Sequence, residues 1–151
     1  HTIGHLWCDT PFDDTPESRY RGPVAAAPED AEELGPGLLM RSWEPATVRV
    51  EAPASPIARG LVDGDTRSDE WYGFAPNPRP SVEVVATVDE ATYEPAAGRM
   101  GDDHPIVWWQ RAGDGIAVYN AMGHAAGVWI DETFLAGLLG AVEVAIGRVL
   151  P

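Results

Sequence analysis

The sequence predicts a layered α/β protein, and three observations carry that expectation. Valine-rich stretches of strand character stand at "ATVRVEA" (46–52) and "SVEVVATVDE" (81–90), the second bounded by the proline cluster "PNPRP" (76–80). Two further apolar runs, "HPIVWWQ" (104–110) and "GIAVYNAM" (115–122), are joined by "RAGDG", whose Asp114-Gly115 tolerates positive φ and closes an antiparallel hairpin. A pattern of helical period then runs from Asp131 to about Val149.

Taken in order, residues 1–45 are the least regular part. Prolines at 11, 16, 23, 28, 36 and 45 leave room only for short helical turns, one of them opened by Pro28 and reaching residue 34. From Ala46 apolar and polar residues alternate, as on a half-buried strand, so residues 46–151 form the core of a single domain spanning 1–151. Between the first two strands, "TRSDEWYGF" (66–74) is too aromatic for a plain loop. Both hairpin strands are apolar on both faces, which predicts that the hairpin is covered on each side. Asp131 is placed to cap a final helix in which Phe134, Leu135, Leu138, Leu139, Val142, Ile146 and Val149 recur at helical spacing. Gly137, Gly140 and Gly147 weaken that helix by up to about 1 kcal/mol each relative to alanine, and they are expected to mark close packing against the sheet.

The charge balance narrows the classes of partner. With 24 acidic residues against 10 basic ones, all arginine, the net charge is -14. A phosphate-binding face needs a basic stripe, so neither nucleic acid nor an anionic membrane is expected. No run of 18 apolar residues could span a bilayer. A single cysteine, Cys8, excludes an internal disulfide and a cysteine-only zinc site, and "LWCDT" lacks the glycine frame of a nucleophile elbow. The start at His1 without methionine reads as a processed or truncated terminus. A cytoplasmic location is expected, and self-association into a homo-oligomer is left open.

The apolar run "YNAMGHAAGVW" (119–129) breaks at Met122-Gly123 and presents His124. A hairpin centred on Gly113-Asp114 puts His104 across from Gly123 and beside His124, with Asp102 and Asp103 just before the strand. Two imidazoles and a carboxylate at one point could bind zinc or another divalent ion, or work as an acid/base pair. The simpler alternative is a histidine that hydrogen-bonds a nearby carbonyl at a strand end. "DEWY", comprising Asp69, Glu70, Trp71 and Tyr72, is a second candidate, a polar and aromatic wall for a sugar, and Tyr119 is counted with it. The alternative there is that the rings anchor the loop. His1 is a third metal candidate: an N-terminal histidine can bind copper with a second histidine and a tyrosine, for which His124 and Tyr119 are available, while His5 has no assigned role.

In their order along the chain, "ATVRVE", "ARGL" with "TRSDEWYGF", "VEVVATVDEATY", "MGDDHPIVWW", "IAVYNAMGH" and "FLAGLLGAVEVAIGR" resemble the C-terminal half of the trehalose-utilisation (ThuA-like) family, over about residues 46–149. The resemblance implies a flavodoxin-like, class I glutamine amidotransferase-like layered sheet, incomplete at its N-terminus, with the antiparallel hairpin and final helix closing it. "HTIGH" is similar to a family segment at a strand-to-helix turn. The resemblance further implies a role in sugar metabolism, and it carries over His1, Asp103, His104 and His124 to a shared cleft, with Asp69, Glu70 and Tyr72 beside it. This sequence departs from the family where relatives have His-Pro before the "RGL" segment, since it has Ser55-Pro56, and again at "RSWEP" (41–45). The expected ligand is a sugar or sugar derivative. The rival reading is a non-catalytic carbohydrate-binding or interaction module that uses "DEWY" and Trp129 as its contact surface.

Overall fold

A computed structural model describes residues 44–74, 76–95, 99–124 and 126–151. The expectations for His1, His5, Cys8 and the helical turn at 28–34 lie outside the described residues. Five strands form one sheet: β1 (Glu44–Val50), β2 (Thr66–Asp69), β3 (Glu83–Asp89), β4 (Pro105–Ala112) and β5 (Gly115–Asn120). Their order is β2-β1-β3-β4-β5, and every neighbouring pair is antiparallel. The described portion therefore contains no parallel pair of the kind a flavodoxin-like sheet is built from. A parallel pair needs a crossover of a dozen or more residues, usually a helix. Here the connection from β1 to β2 contains only a single 3-10 turn, Pro56–Ala58, and β4 to β5 is a tight hairpin.

The strands follow the pattern of their side chains. In β1, Ala46 and Val48 are buried and alternate with the half-buried Thr47 and exposed Arg49. β3 and β4 are buried on both faces, through Val85, Ala86, Thr87 and Val88 in one and Ile106, Val107 and Trp108 in the other. Of the two hairpin strands expected to be covered on each side, β4 meets that expectation, whereas β5 is an edge strand in which only Val118 is buried. The hairpin register is also the predicted one, from Ala112 opposite Gly115 to Val107 opposite Asn120. β2, which was not foreseen as a strand, is a four-residue edge strand paired only to β1.

A single described α-helix, α1 (Glu132–Ala145), follows a 3-10 turn at Ala126–Ile130. Asp131 caps it, accepting the Thr133 N–H at 2.8 Å. The helix packs on the Pro56–Ala58 turn and on β5 with only part of the predicted apolar row, since Phe134 is buried and Leu138 and Val149 pack against the core. Phe134, Gly137, Gly140 and Val144 face inward, while Leu135, Leu139, Val142 and Ile146 are exposed. The cause is backbone proximity: a Cβ at Gly140 would overlap the Pro56 carbonyl, and one at Gly137 would lie 3.0 Å from the Arg59 carbonyl oxygen. The glycines thus close the helix on a loop rather than on the sheet, and Glu143 pairs with Arg59 across the same contact. Gly147, with φ +71°, marks the helix stop instead of a packing contact. Among the described residues no helix is long and apolar enough to cross a membrane.

Candidate functional site

The end of β2 and the turn after β5 are held together by one carboxylate. Asp69, 2% exposed, accepts the N–H groups of Glu70 at 2.9 Å, Gly123 at 2.7 Å and His124 at 3.2 Å. Gly123 has φ +118°, a conformation that side-chain-bearing residues rarely adopt, and an added Cβ would come within 3.2 Å of the Phe134 ring. The Asn120 side chain also accepts the Met122 N–H at 3.0 Å. The break in the apolar run is therefore a built turn whose result is the placement of His124.

His124 leaves that turn with its side chain 42% exposed and its Nδ1 2.6 Å from Glu70 Oε2. The Tyr72 hydroxyl donates to the same carboxylate oxygen at 2.8 Å and lies 3.2 Å from His124 Nδ1. An ionised carboxylate only accepts, so Glu70 selects the tautomer with hydrogen on Nδ1, and the neutral ring carries its lone pair on Nε2. Burial, and then the hydrogen bond to Glu70, push the Tyr72 phenol well above its usual value, which keeps it a proton donor at neutral pH. Glu70 itself is 6% exposed. This is a carboxylate-oriented histidine, the arrangement that suits acid/base work.

Beside it, Trp129 donates its indole N–H to the Gly123 carbonyl at 2.9 Å and stands edge-on to Phe134, yet it remains 53% exposed. A groove of about 410 Å³ opens between β2 and the start of α1 and shares Asp69 and Met122 with the turn. Its polar wall includes Thr66, Arg67, Ser68, Asp131 and Thr133, and its apolar wall Met122, Val128 and Phe134. Arg67 donates to Asp131, Thr133 and the Gly60 carbonyl, tying the edge strand to the helix start. Hydrogen bonds from the Thr133 side chain and backbone, with Arg67 nearby, hold Asp131 below the usual carboxylate range.

His104 has a different environment. It is fully buried, with Nε2 2.8 Å from the Tyr72 carbonyl oxygen and Nδ1 2.9 Å from Glu90 Oε1 and 3.1 Å from the Tyr93 hydroxyl. Burial lowers its pKa, against the opposing pull of the Tyr72 carbonyl and Glu90. Both ring nitrogens are occupied, so the predicted proximity of the two histidines does not make them co-ligands. Asp103 is claimed elsewhere: Arg79 Nε lies 2.8 Å from each of its oxygens, and Asn77 donates to it at 3.1 Å. Arg79 also bridges to Glu51, and these two carboxylates raise its pKa further.

The aromatic expectations divide in the same way. Trp71 is 4% exposed and belongs to the core, so it anchors the loop instead of offering a face to a ligand. Tyr119 stacks on Trp108 with centroids 4.0 Å apart and meets the edge of Phe74, and burial raises its phenol. Tyr72 and Glu70 do reach the site, but Glu70 is turned onto His124. The sequence reading missed Glu90 and Arg79, which carry no spacing signal; only the adjacency of Glu90 to a buried valine run hinted at a buried acid. The His104/His124 zinc site does not fit the side chains present, because His104 has no free nitrogen. Among the described residues no three His, Cys, Asp or Glu side chains form a metal-binding group.

Comparison with known proteins adds a family to this geometry. The sequence profile of the trehalose-utilisation (ThuA) family matches residues 11–145. The chain belongs to the ThuA family. A solved structure of a ThuA-like protein from Bacteroides uniformis is similar at 26% identity and a TM-score of 0.55, over 73% of this chain. The present ThuA chain covers 46% of the length of that relative. No match was found among curated proteins. The ThuA match extends well before the residue 46 at which the sequence resemblance begins.

Proposed function

We propose that this ThuA-family chain binds a sugar or sugar derivative of trehalose metabolism at the groove beside His124, and that His124 transfers a proton to or from a sugar hydroxyl. The observation that carries this reading is the half-exposed imidazole whose Nδ1 meets Glu70, one residue on from the Gly123 carbonyl that holds the exposed Trp129 indole. Aromatic faces suit the apolar faces of sugars, and the hydroxyl, guanidinium and carboxylate groups of the groove suit their hydroxyls. Glu70 also stabilises the imidazolium that forms when Nε2 takes a proton, and such general base catalysis contributes roughly 10²- to 10⁴-fold in rate. In this reading Tyr72 orients Glu70 and His124, and Asp69 aligns their backbones.

Family resemblance supports two accompanying proposals. The complete domain has flavodoxin-like, class I glutamine amidotransferase-like layering, with the described antiparallel sheet as one portion of it, and action on a sugar of trehalose metabolism is the role proposed for it. A divalent ion such as zinc held by His124 and Glu70 would need further donors from outside the described residues.

The test is titration calorimetry with trehalose, alongside metal analysis and turnover assays on purified protein. The His124→Ala variant should stay folded and lose turnover by about 100-fold or more. Normal turnover by the folded variant would sink the reading. The rival, a non-catalytic carbohydrate-binding module, is favoured by the exposure of Trp129. It predicts sugar affinity lost on Trp129→Ala, kept on His124→Ala, and no turnover in either protein.

A further inference from the structure

The buried His104–Glu90 pair takes no part in the proton transfer proposed above, yet it touches the backbone of the segment that supplies Tyr72. Residues 70–74 lie between β2 and the next turn without regular structure, so their backbone has no ladder to hold it. Among the described residues, two contacts hold the stretch from Tyr72 to Phe74. The Tyr72 carbonyl accepts from His104 Nε2 at 2.8 Å, and the Phe74 N–H approaches the Met100 sulfur at 3.2 Å.

Glu90 ties both contacts together. One of its oxygens faces His104 Nδ1 at 2.9 Å and accepts the Met100 N–H at 2.6 Å, while the other accepts the Gly101 N–H at 2.7 Å. The Tyr93 hydroxyl completes the surroundings of Nδ1, and the Phe74 ring stands edge-on to the imidazole at 6.4 Å. With Nε2–H donating to the Tyr72 carbonyl and the Tyr93 hydroxyl able to donate to Nδ1, the neutral ring cannot turn without losing a buried hydrogen bond.

We propose that His104, fixed by Glu90, is a positioning residue that holds the Tyr72 backbone so that the Tyr72 phenol seats on Glu70 and His124. The proposal rests on the reading of Glu70, Tyr72 and His124 as the functional group. The phenol is the natural reporter. Glu70 and Asp69 face it from the end of β2, Tyr119 from β5 and His124 from the turn beyond, and loss of the Glu70 contact removes a hydrogen bond that favours its neutral form.

The experiment is a pH titration of the full chain labelled with tyrosine ¹³Cζ, the Tyr72 signal being assigned with Tyr72→Phe. In the native chain that signal should show no ionisation up to about pH 11, whereas an ordinary phenol titrates near 10. The His104→Asn variant keeps a polar group toward Glu90 but is too short to reach the Tyr72 carbonyl. Its Tyr72 should titrate about one unit or more below the native chain. The His104→Gln variant, long enough to donate to that carbonyl, should behave as native. Tyr119, raised by burial alone, is the internal control.

An unmoved Tyr72 in folded His104→Asn overturns the proposal, as does a parallel shift of Tyr119, which would mean general loosening. If His104→Asn does not fold, the proposal is decided by Glu90→Gln, which must lower the Tyr72 titration without moving Tyr119. Because the readout is phenol ionisation and not sugar binding, either negative result leaves the assignment of His124 standing.

Discussion

The two histidines of the hairpin region stand close in sequence register but differ in what surrounds them, and the difference separates structure from chemistry. His104 is sealed, with a polar partner at each nitrogen and beside it a carboxylate that also collects two loop amides. His124 is nearly half exposed, with Nδ1 on Glu70, and it follows a turn whose Met122 lines a groove and whose Gly123 carbonyl holds the exposed Trp129 indole. Both rely on a glutamate that is almost wholly buried. One glutamate secures a loop, and the other sets a tautomer.

That contrast can be broken most forcefully at Glu90. Glu90→Ala leaves the Met100 and Gly101 amides without their acceptor and removes a polar neighbour of His104, and each buried group left unsatisfied is expected to destabilise the fold by about 1–3 kcal/mol, read by urea denaturation. A smaller effect follows from pH. Because burial holds the folded-state pKa of His104 below its unfolded value of 6.5, the unfolded chain binds the proton first. The contribution of His104 is therefore fully present above about pH 6.5 and declines as pH falls toward the folded pKa, at a slope of up to about 1.4 kcal/mol per pH unit. Unfolding curves between pH 7 and 5, compared with His104→Gln, isolate that slope; an unchanged slope in the variant would assign the acid sensitivity to other groups. The smallest effect is expected at His124, where His124→Ala should change stability by about 1 kcal/mol or less. A cost like that of Glu90→Ala would erase the distinction between the two histidines.

Much of this arrangement was legible from local pattern. The alternation in 46–50 and the two-sided burial of 104–108 follow from local pattern, and the hairpin register came out as its Gly113-Asp114 centre dictates, although the positive φ falls on Gly113 and Gly115 opens β5. The Met122-Gly123 break likewise marked a turn before it was seen. Other features were not legible. Helical spacing suggested an inward row of leucines, but the closest approach is made by Gly137 and Gly140 against loop carbonyls, and this turns Leu135 and Leu139 outward. "DEWY" read as one wall, yet its four side chains go to an amide clamp, a histidine, the core and a phenol contact.

By itself, then, the sequence determined four of the five strands, the hairpin, the capped helix, the acidic charge balance and a short list of candidate residues, because these depend on composition or on neighbours a few positions apart. Only the tertiary structure decided which partners those residues have. Asp103 was taken by Arg79, which stands 24 positions away, and His104 by Glu90 and Tyr72; His124 was joined to Glu70, on the other side of the sheet order. Burial and hydrogen bonding over long sequence separations set whether a side chain holds the fold or faces a ligand, and no local pattern records those partners.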